Sequence, residues 1–283
     1  MIAFSLFWHD VYRYGIMYLI SFIVWYIVLY FIGKSKVLDN HPKIQEALTK
    51  DIDTLLILII IGVMFGGRLG YVLIYDRAYF AQNIGEILAV WQWGMSFIGW
   101  MIGVVLAISI RWYKKKWGKV DLLVLFDSIL SIAPFGIILW RIGNFLNQEI
   151  YGIIVTEHFR WLSPNLIQLA TERNIFYIYE TIDNQLRLNT NFISAFFEWF
   201  IMLLLCGWMM LHHIIYKKTI IPGRISALFI ASYGFIRFFL EYIRVDSQSE
   251  FIRLFTKSQY FFIIFMILGW YLLRTHRHES IQE

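Results

Sequence analysis

Apolar residues in this chain fall into blocks of about twenty, the length that crosses the roughly 30 Å hydrocarbon core of a bilayer as a helix. Continuous apolar runs such as 55–65 and 200–210 do not alternate in polarity, as the strands of a membrane β-barrel would. Only helices and closed barrels satisfy their backbone hydrogen bonds within lipid. With 59% hydrophobic and 16% charged residues, the sequence therefore predicts an all-α, polytopic membrane protein.

Charged residues between the blocks mark the ends of about seven predicted transmembrane spans. The spans lie near 12–33, 53–75, 95–112, 120–140, 192–216, 224–243 and 258–273. We expect them to form one transmembrane domain over 1–283. Only 145–191, between spans four and five, is polar enough and long enough to form a substantial structure outside the bilayer. We expect a small extracytoplasmic cap there.

The distribution of lysine and arginine predicts the orientation of the chain. Basic residues follow spans one, three, five and seven: Lys34, Lys36, Lys43, Lys50, Arg111, Lys114, Lys115, Lys116, Lys119, Lys217, Lys218, Arg224, Arg274 and Arg277. Such an excess is typical of cytoplasmic loops, so we expect the N-terminus outside and the C-terminus in the cytoplasm. The basic residues of these loops account for most of the net charge of +5, and anionic lipid head groups are their expected partners. No nucleic-acid partner is expected.

A polar run over 141–152 stands at the end of span four. It contains Arg141, Asn144 and Glu149, and it ends at Gly152. An ionisable side chain at the centre of a membrane costs about 2.5–3.5 kcal/mol on insertion scales, so it normally faces a protein interior or a wet cavity. The run is therefore predicted to form part of a site.

Other polar side chains lie in the predicted outer halves of several spans. They are Tyr14 at span one, Arg68 in span two, Ser96 at the start of span three, and Arg237 and Glu241 in span six. Arg237 and Glu241 share one helix face, so a structural ion pair is the alternative interpretation for them. Polar groups confined to one half of the bilayer fit a lipid head-group site better than a path through the membrane. A small-solute transporter is therefore the weaker hypothesis, and no internal repeat supports it.

The single cysteine, Cys206, lies within a span and has no partner for an internal disulfide or a metal site. We expect it to be a buried, small apolar residue. No metal ion and no cofactor are expected from the sequence.

These motifs resemble those of the bacterial phosphatidylglycerol–prolipoprotein diacylglyceryl transferases. The pattern Arg-Ile-Gly-Asn-Phe-x-Asn-x-Glu-x-x-Gly at 141–152 is similar to that family's signature. Further runs that look like the family's motifs, in the family's order, lie at 13–18, 66–73, 94–97 and 233–241. The resemblance covers nearly the whole chain. It implies seven transmembrane helices, an outward-facing active site and a place in the bacterial cytoplasmic (inner) membrane.

The resemblance also implies a reaction. The family transfers the diacylglyceryl group of phosphatidylglycerol to the lipobox cysteine of a prolipoprotein signal peptide; a thioether forms and glycerol phosphate leaves. By this likeness Arg141 and Arg237 bind the phosphate and stabilise its charge, because the planar guanidinium can hold two phosphate oxygens. Tyr14 is expected to join these two arginines as a catalytic residue and would donate a hydrogen bond from span one. The expected substrate-binding residues are Asn144, Glu149, Gly152, Glu241, Arg68 and Ser96, with Gly152 allowing a tight turn and Glu241 orienting Arg237.

Two segments depart from the family's pattern. Where the family has a histidine after Met-Ser-Phe, this chain has Ile98, which cannot exchange a proton. The family's His-Pro-Ser-Gln-Leu-Tyr-Glu segment survives at 193–198 only in Ser194 and Glu198.

The missing histidine leaves three alternatives. If no base is needed, nearby arginines would lower the pKa of the substrate thiol from about 8.5 and supply enough thiolate. Otherwise Glu149, or His158 of the cap, would take the proton. The third alternative is a homologue that has lost transfer activity and binds lipid or signal peptide.

Overall fold

The computed structural model describes residues 2–6, 9–89, 94–245 and 251–279; side chains within 2–14, at 199 and within 276–279 lie outside the described part. Within it the α-helices are α1 (Arg13–Lys34), α2 (Pro42–Thr49), α3 (Ile52–Ile74), α4 (Arg77–Gln82), α5 (Phe97–Lys115), α6 (Lys119–Leu146), α7 (Val155–His158), α8 (Pro164–Glu172), α9 (Thr190–Ser194), α10 (Trp208–Ile215), α11 (Arg224–Leu240) and α12 (Lys257–Glu279). The strands form antiparallel pairs: β1 (Ile2–Leu6) with β2 (His9–Tyr12), β3 (Phe176–Ile178) with β4 (Leu186–Leu188), and β5 (Phe251–Ile252) with β6 (Phe255–Thr256).

Seven helical stretches among the described residues are long and apolar enough to cross a bilayer, which confirms the predicted fold class. They are Gly15–Lys34, Ile52–Ile74, Phe97–Lys115, Lys119–Leu146, Thr190–Ile215, Arg224–Ile243 and Lys257–Thr275. Each overlaps one predicted span. The largest difference is in span four, whose helix α6 continues past the predicted end at 140 to Leu146. The polar run therefore begins inside a helix.

Local chemistry sets the ends of the helices. The Ser96 hydroxyl accepts a hydrogen bond from the Gly99 N–H at 3.2 Å and caps the start of α5. Lys116 follows α5 with a φ of 51° and ends the helix in the left-handed conformation. Pro42 occupies the start of α2, where its missing N–H costs nothing. The apolar blocks thus end where turn-forming and charged residues begin.

The chain divides into two compact units, which are described separately. The first unit comprises Met1–Trp25, Ile129–His212 and Arg224–Glu283, and the second comprises Tyr26–Ser128 and His213–Gly223. The expectation of one transmembrane domain with an inserted cap stays a prediction.

In the second unit, α3 and α5 pack with their backbones in close contact. Gly62, Gly66 and Gly70 recur at every fourth residue of α3 and face Gly99 and Gly103 of α5. Small residues at this spacing let membrane helices approach closely, so van der Waals packing can hold them together where lipid removes the hydrophobic driving force. A Cβ atom on Gly66 would lie 2.5 Å from the Gly99 carbonyl oxygen, which leaves no room for any side chain.

We therefore expect Gly66→Ala to lower the free energy of unfolding by about 1–3 kcal/mol, the usual cost of overpacking. Gly85→Ala makes the same chemical change where nothing lies within 4 Å, and it serves as the matched control. Thermal unfolding of both variants in detergent measures the difference. Equal melting temperatures would contradict the close approach of α3 and α5.

A charged cluster joins the loop-side ends of the same two helices. Asp51, just before α3, accepts hydrogen bonds from Arg111 at 2.9 Å and Lys115 at 3.0 Å. The hydrogen bond from Lys115 is the main cause that holds the pKa of Asp51 below its ordinary value, and Arg111 adds to it. Asp51 therefore stays ionised at neutral pH and keeps both cations in place.

In the first unit, residues between spans four and five form a small non-spanning structure. Its core is built by Val155, Phe176 and Leu188, which are each at most 6% exposed. Residues 151–154 run between β4 and the stretch 243–245 that follows span six, with bridges from Ile154 to β4 and from Gly152 to Arg244. The predicted cap region is thus tied by backbone hydrogen bonds to the end of span six.

Span five departs from a regular α-helix. After α9 the chain is wound as π-helix over Ala195–Ile201 and Leu203–Gly207 before α10 begins. Wider π turns are rare and occur frequently at functional sites. Glu198 lies in the first of these stretches.

Candidate active site

Five charged side chains form a buried chain of ion pairs in the first unit. In order they are Arg141, Glu198, Arg237, Glu241 and Arg244, and each is at most 7% exposed. Spans four, five and six supply the first four, and Arg244 directly follows span six. Three positive charges against two negative charges leave a net charge of +1. We call these five residues the ion-pair chain.

Glu198 lies between two arginines of this chain. Arg141 donates from Nε at 2.9 Å and from Nη2 at 3.1 Å to the two carboxylate oxygens, a two-point contact that fixes the plane of its guanidinium. Arg237 Nη1 lies 3.2 Å from Glu198 Oε1. Because an uncompensated charge is very costly in a buried site, Glu198 is what allows the two arginines to lie together between apolar spans.

Glu241 links Arg237 to Arg244. Its Oε2 accepts hydrogen bonds from Arg237 at 3.2 Å and from Arg244 at 3.1 Å. The pairing of Arg237 with Glu241 expected from their spacing is present, but as one link of a longer chain. The Arg237 guanidinium also lies over the ring of Phe262 on α12, 5.2 Å from its centroid.

The part of the polar run that lies beyond α6 is held in a strained conformation. Gln148 and Ile150 have left-handed backbones, with φ of 54° and 55°, and for a β-branched residue such as Ile150 this is costly. Thr190 donates a hydrogen bond to the Ile150 carbonyl, and Asn191 donates to the Glu149 carbonyl at 2.6 Å. The start of span five therefore fixes the backbone around Glu149.

Gly152 marks a close approach of three backbone segments. Its N–H donates to the Leu188 carbonyl at 3.1 Å, and a Cβ atom would lie 2.5 Å from that oxygen and 3.0 Å from the Ile243 carbonyl. Its φ is not left-handed, so the tight turn expected at Gly152 is made instead by Gln148 and Ile150. Glycine is needed here because no side chain fits.

One pair of charges in the cap, Arg187 with Asp183, contacts Gly152. Arg187 donates to the Gly152 carbonyl at 3.0 Å and to Asp183, and its guanidinium lies 4.9 Å from the Tyr151 ring centroid. The hydrogen bond from Arg187 holds the pKa of Asp183 below its ordinary value and raises the pKa of Arg187. Burial raises the pKa of the Tyr179 hydroxyl to about 12. These groups keep one protonation state at neutral pH, and Arg187, held by Asp183, forms a fixed support for the Gly152 carbonyl.

The structure places most of the predicted site residues in the first unit. These are Arg141, Asn144, Glu149, Gly152, Arg237 and Glu241. Asn144 is 1% exposed, and its carbonyl accepts a hydrogen bond from the Glu149 N–H at 2.9 Å. Tyr14 belongs to the first turn of α1, but its side chain lies outside the described residues, so its expected hydrogen bond stays a prediction.

Arg68 and Ser96 belong to the second unit, where both make structural contacts. Arg68 donates to the carbonyls of Glu86 at 2.8 Å, Ile87 at 3.1 Å and Gly94 at 3.3 Å, and it lies over the Phe80 ring. Ser96 caps α5, as described above. Their expected role in substrate binding stays a prediction.

Two members of the ion-pair chain were not predicted as site residues. Glu198 stands out in the sequence only as a survivor of a degenerate motif, and Arg244 only as a loop charge. A carboxylate inside the apolar block of span five was a usable signal, since such groups are rarely without function. The spacing of three between Glu241 and Arg244 was another.

The two candidate bases and the position of the family's histidine lie in different surroundings. Glu149 is half-buried, shortly after the end of α6. Ile98, at the position of the family's histidine, is 2% exposed within α5. His158 is exposed in α7, with Nδ1 3.2 Å from the Ile154 carbonyl oxygen.

Comparison with known proteins gives consistent matches. The family model described as prolipoprotein diacylglyceryl transferase matches residues 1–275. The chain is 33% identical over 271 residues to a phosphatidylglycerol–prolipoprotein diacylglyceryl transferase of Buchnera aphidicola subsp. Schizaphis graminum, covering 90% of this chain and 89% of that protein. It is 30% identical over 273 residues to the protein of the same description from Buchnera aphidicola subsp. Baizongia pistaciae, covering 95% and 92%. It is 32% identical over 238 residues to the protein of the same description from Wolbachia pipientis subsp. Culex pipiens, and the match covers 83% of this chain and 78% of that protein.

Proposed function

This chain belongs to the prolipoprotein diacylglyceryl transferase family, and from that premise we propose that it transfers the diacylglyceryl group of phosphatidylglycerol to a cysteine thiol of a prolipoprotein. The relatives' descriptions name both phosphatidylglycerol and the prolipoprotein. The acceptor is the lipobox cysteine of the signal peptide, as the resemblance of the motifs implies. Both substrates reach the enzyme from the bilayer that the seven spans cross.

The reaction places charge on a phosphate. Cysteine sulfur bonds to the terminal glyceryl carbon of the lipid while the bond from that carbon to the phosphate oxygen breaks. The phosphate keeps the electron pair and leaves as glycerol phosphate, and the thiol proton goes to water. A second negative charge therefore develops on the leaving phosphate, and groups that stabilise it more than the ground state accelerate the reaction.

The observation that carries this proposal is the ion-pair chain. These five buried side chains sum to one positive charge among apolar spans, which favours an anionic ligand, and a phosphate diester supplies one negative charge. Guanidinium groups hold phosphate oxygens with charge-assisted, two-point hydrogen bonds. In our proposal Arg141 and Arg237 bind the phosphate, and Glu198 and Glu241 orient them, since both glutamates already contact these arginines.

The remaining roles follow from position. Asn144 and Glu149 shape the head-group site beside Arg141, and Gly152 holds the cap segment against the end of span six. By resemblance alone, Tyr14 is assigned to catalysis, and Arg68 and Ser96 are assigned to substrate binding. The charges of the loops support a multi-pass protein of the inner membrane with its N-terminus outside, its C-terminus in the cytoplasm and the site facing outward.

The test is transfer of labelled diacylglyceryl from phosphatidylglycerol to a lipobox peptide by the purified protein. We expect transfer by the parent protein, with the thiol ionised under the influence of the arginines and without a histidine. If the parent protein shows no transfer, the proposal is contradicted. Binding of lipid or peptide without transfer would then be the function.

Ile98→His separates these possibilities further. If the substrate thiol needs no base, the variant changes the rate by less than about threefold, well below the 10²–10⁴-fold typical of general-base catalysis. Ile98→Gln, which adds a polar side chain that cannot take a proton, is the control for packing. A gain of 10²-fold or more with histidine alone would mean that this chain has lost its base.

A further inference from the structure

The first turn of α12 carries a side chain that contacts two helix ends at once. Gln259 is 0% exposed and is the third residue of α12. Its Oε1 accepts a hydrogen bond from the Thr256 N–H at 2.9 Å, and its own N–H donates to the Thr256 hydroxyl at 3.1 Å. This reciprocal pair is a capping box, which satisfies two backbone donors at the start of the helix.

The second half of the Gln259 amide reaches the neighbouring span. Its Nε2 donates to the carbonyl of Phe238 at 3.0 Å. Phe238 lies in the last turn of α11, where helix carbonyls lack partners within the helix, and it directly follows Arg237. The amide orientation is fixed by its partners, because a backbone N–H requires an acceptor and a carbonyl requires a donor.

The same helix start places a ring beneath Arg237. Phe262 follows Gln259 by three residues, is 1% exposed, and lies 5.2 Å from the Arg237 guanidinium. Gly234 permits the close contact, since a Cβ atom there would lie 2.8 Å from the Phe262 carbonyl oxygen. The register of α12 against α11 therefore decides where the Arg237 side chain is supported.

We propose that Gln259 is a positioning residue that joins the start of span seven to the end of span six and thereby holds Arg237 in the geometry required for phosphate. This inference rests on the proposed function. Only a neutral amide of this length meets both requirements: glutamate accepts but does not donate when ionised, and an aliphatic side chain does neither. Gln259 acts through the backbone of Phe238 and the register of Phe262, and it does not touch substrate.

The experiment compares three variants of the full-length protein. Gln259→Glu keeps the capping box but loses the donor to Phe238, and Gln259→Met loses both contacts without adding charge. Thr256→Val is the matched control, because it weakens the same helix start and leaves the contact between Gln259 and Phe238. Each is assayed for thermal stability and for kcat and KM with phosphatidylglycerol in mixed micelles.

We expect both Gln259 variants to lose about tenfold or more in kcat, since a displacement of about 1 Å at a positioning group can cost up to 10²-fold. KM should change by less than about threefold. Thr256→Val should melt earlier than the parent and keep kcat within about twofold. If Gln259→Met does not fold, Gln259→Glu carries the comparison.

Parental turnover in the Gln259 variants, or an equal loss of kcat in Thr256→Val, would overturn the positioning role. Either result would leave the proposed function intact as long as the parent protein transfers lipid. A parent protein without transfer would instead overturn the proposed function, and this inference with it.

Discussion

Arg141→Ala is expected to lower diacylglyceryl transfer by about 10²–10³-fold or more, the usual cost of removing one donor that stabilises transition-state charge. The variant removes one of the two guanidinium groups assigned to phosphate and leaves Glu198 with Arg237 as its cation. The five-residue chain then has two positive and two negative charges, so the excess that attracts the phosphate is gone. The labelled-lipid assay with the lipobox peptide measures the loss.

Two further variants separate charge from shape at this position. Arg141→Lys keeps the positive charge but cannot make the two-point contact with Glu198, so we expect it to retain only a small part of the parent rate. Arg173→Ala removes an exposed arginine of the cap and should leave transfer unchanged. Full activity in Arg141→Lys would show that a point charge suffices; full activity in Arg141→Ala would remove Arg141 from the site.

The transmembrane architecture could be predicted because it depends on one strong local signal. A block of about twenty apolar residues has few structures available to it in lipid, so the seven spans follow from length and composition. The end of span four was placed too early, since Arg141 and Asn144 were read as marks of a boundary. Glu198 of the first unit pairs with Arg141, and the helix continues to Leu146.

The ion-pair chain could be predicted only in part, because it depends on tertiary contacts. The pairing of Arg237 with Glu241 follows from helical spacing and was predicted. The contact of Arg141 with Glu198 joins residues 57 positions apart, and no local pattern specifies it. The π-helical stretch that carries Glu198 has no sequence signature of its own, and the role of Gln259 becomes visible only when α11 and α12 lie side by side.

Glu198→Leu is expected to destabilise the protein by about 3–5 kcal/mol, the range measured when one partner of a buried ion pair is removed. The variant leaves Arg141 and Arg237 without the carboxylate they share, and the net charge of the chain rises from +1 to +2. Thermal unfolding in detergent measures the effect. Glu180→Leu, at an exposed position of the cap, is the control and should melt close to the parent.

The double variant Glu198→Leu with Arg141→Leu separates the contribution of Glu198 to folding from its contribution to chemistry. Removing both partners takes away the unpaired charge, and the remaining residues Arg237, Glu241 and Arg244 again carry a net charge of +1. We expect the melting temperature to recover most of the loss seen in Glu198→Leu, while transfer stays at the level of Arg141→Ala. A double variant as unstable as the single one would mean that Glu198 supports the fold by a contact other than its pairing with Arg141.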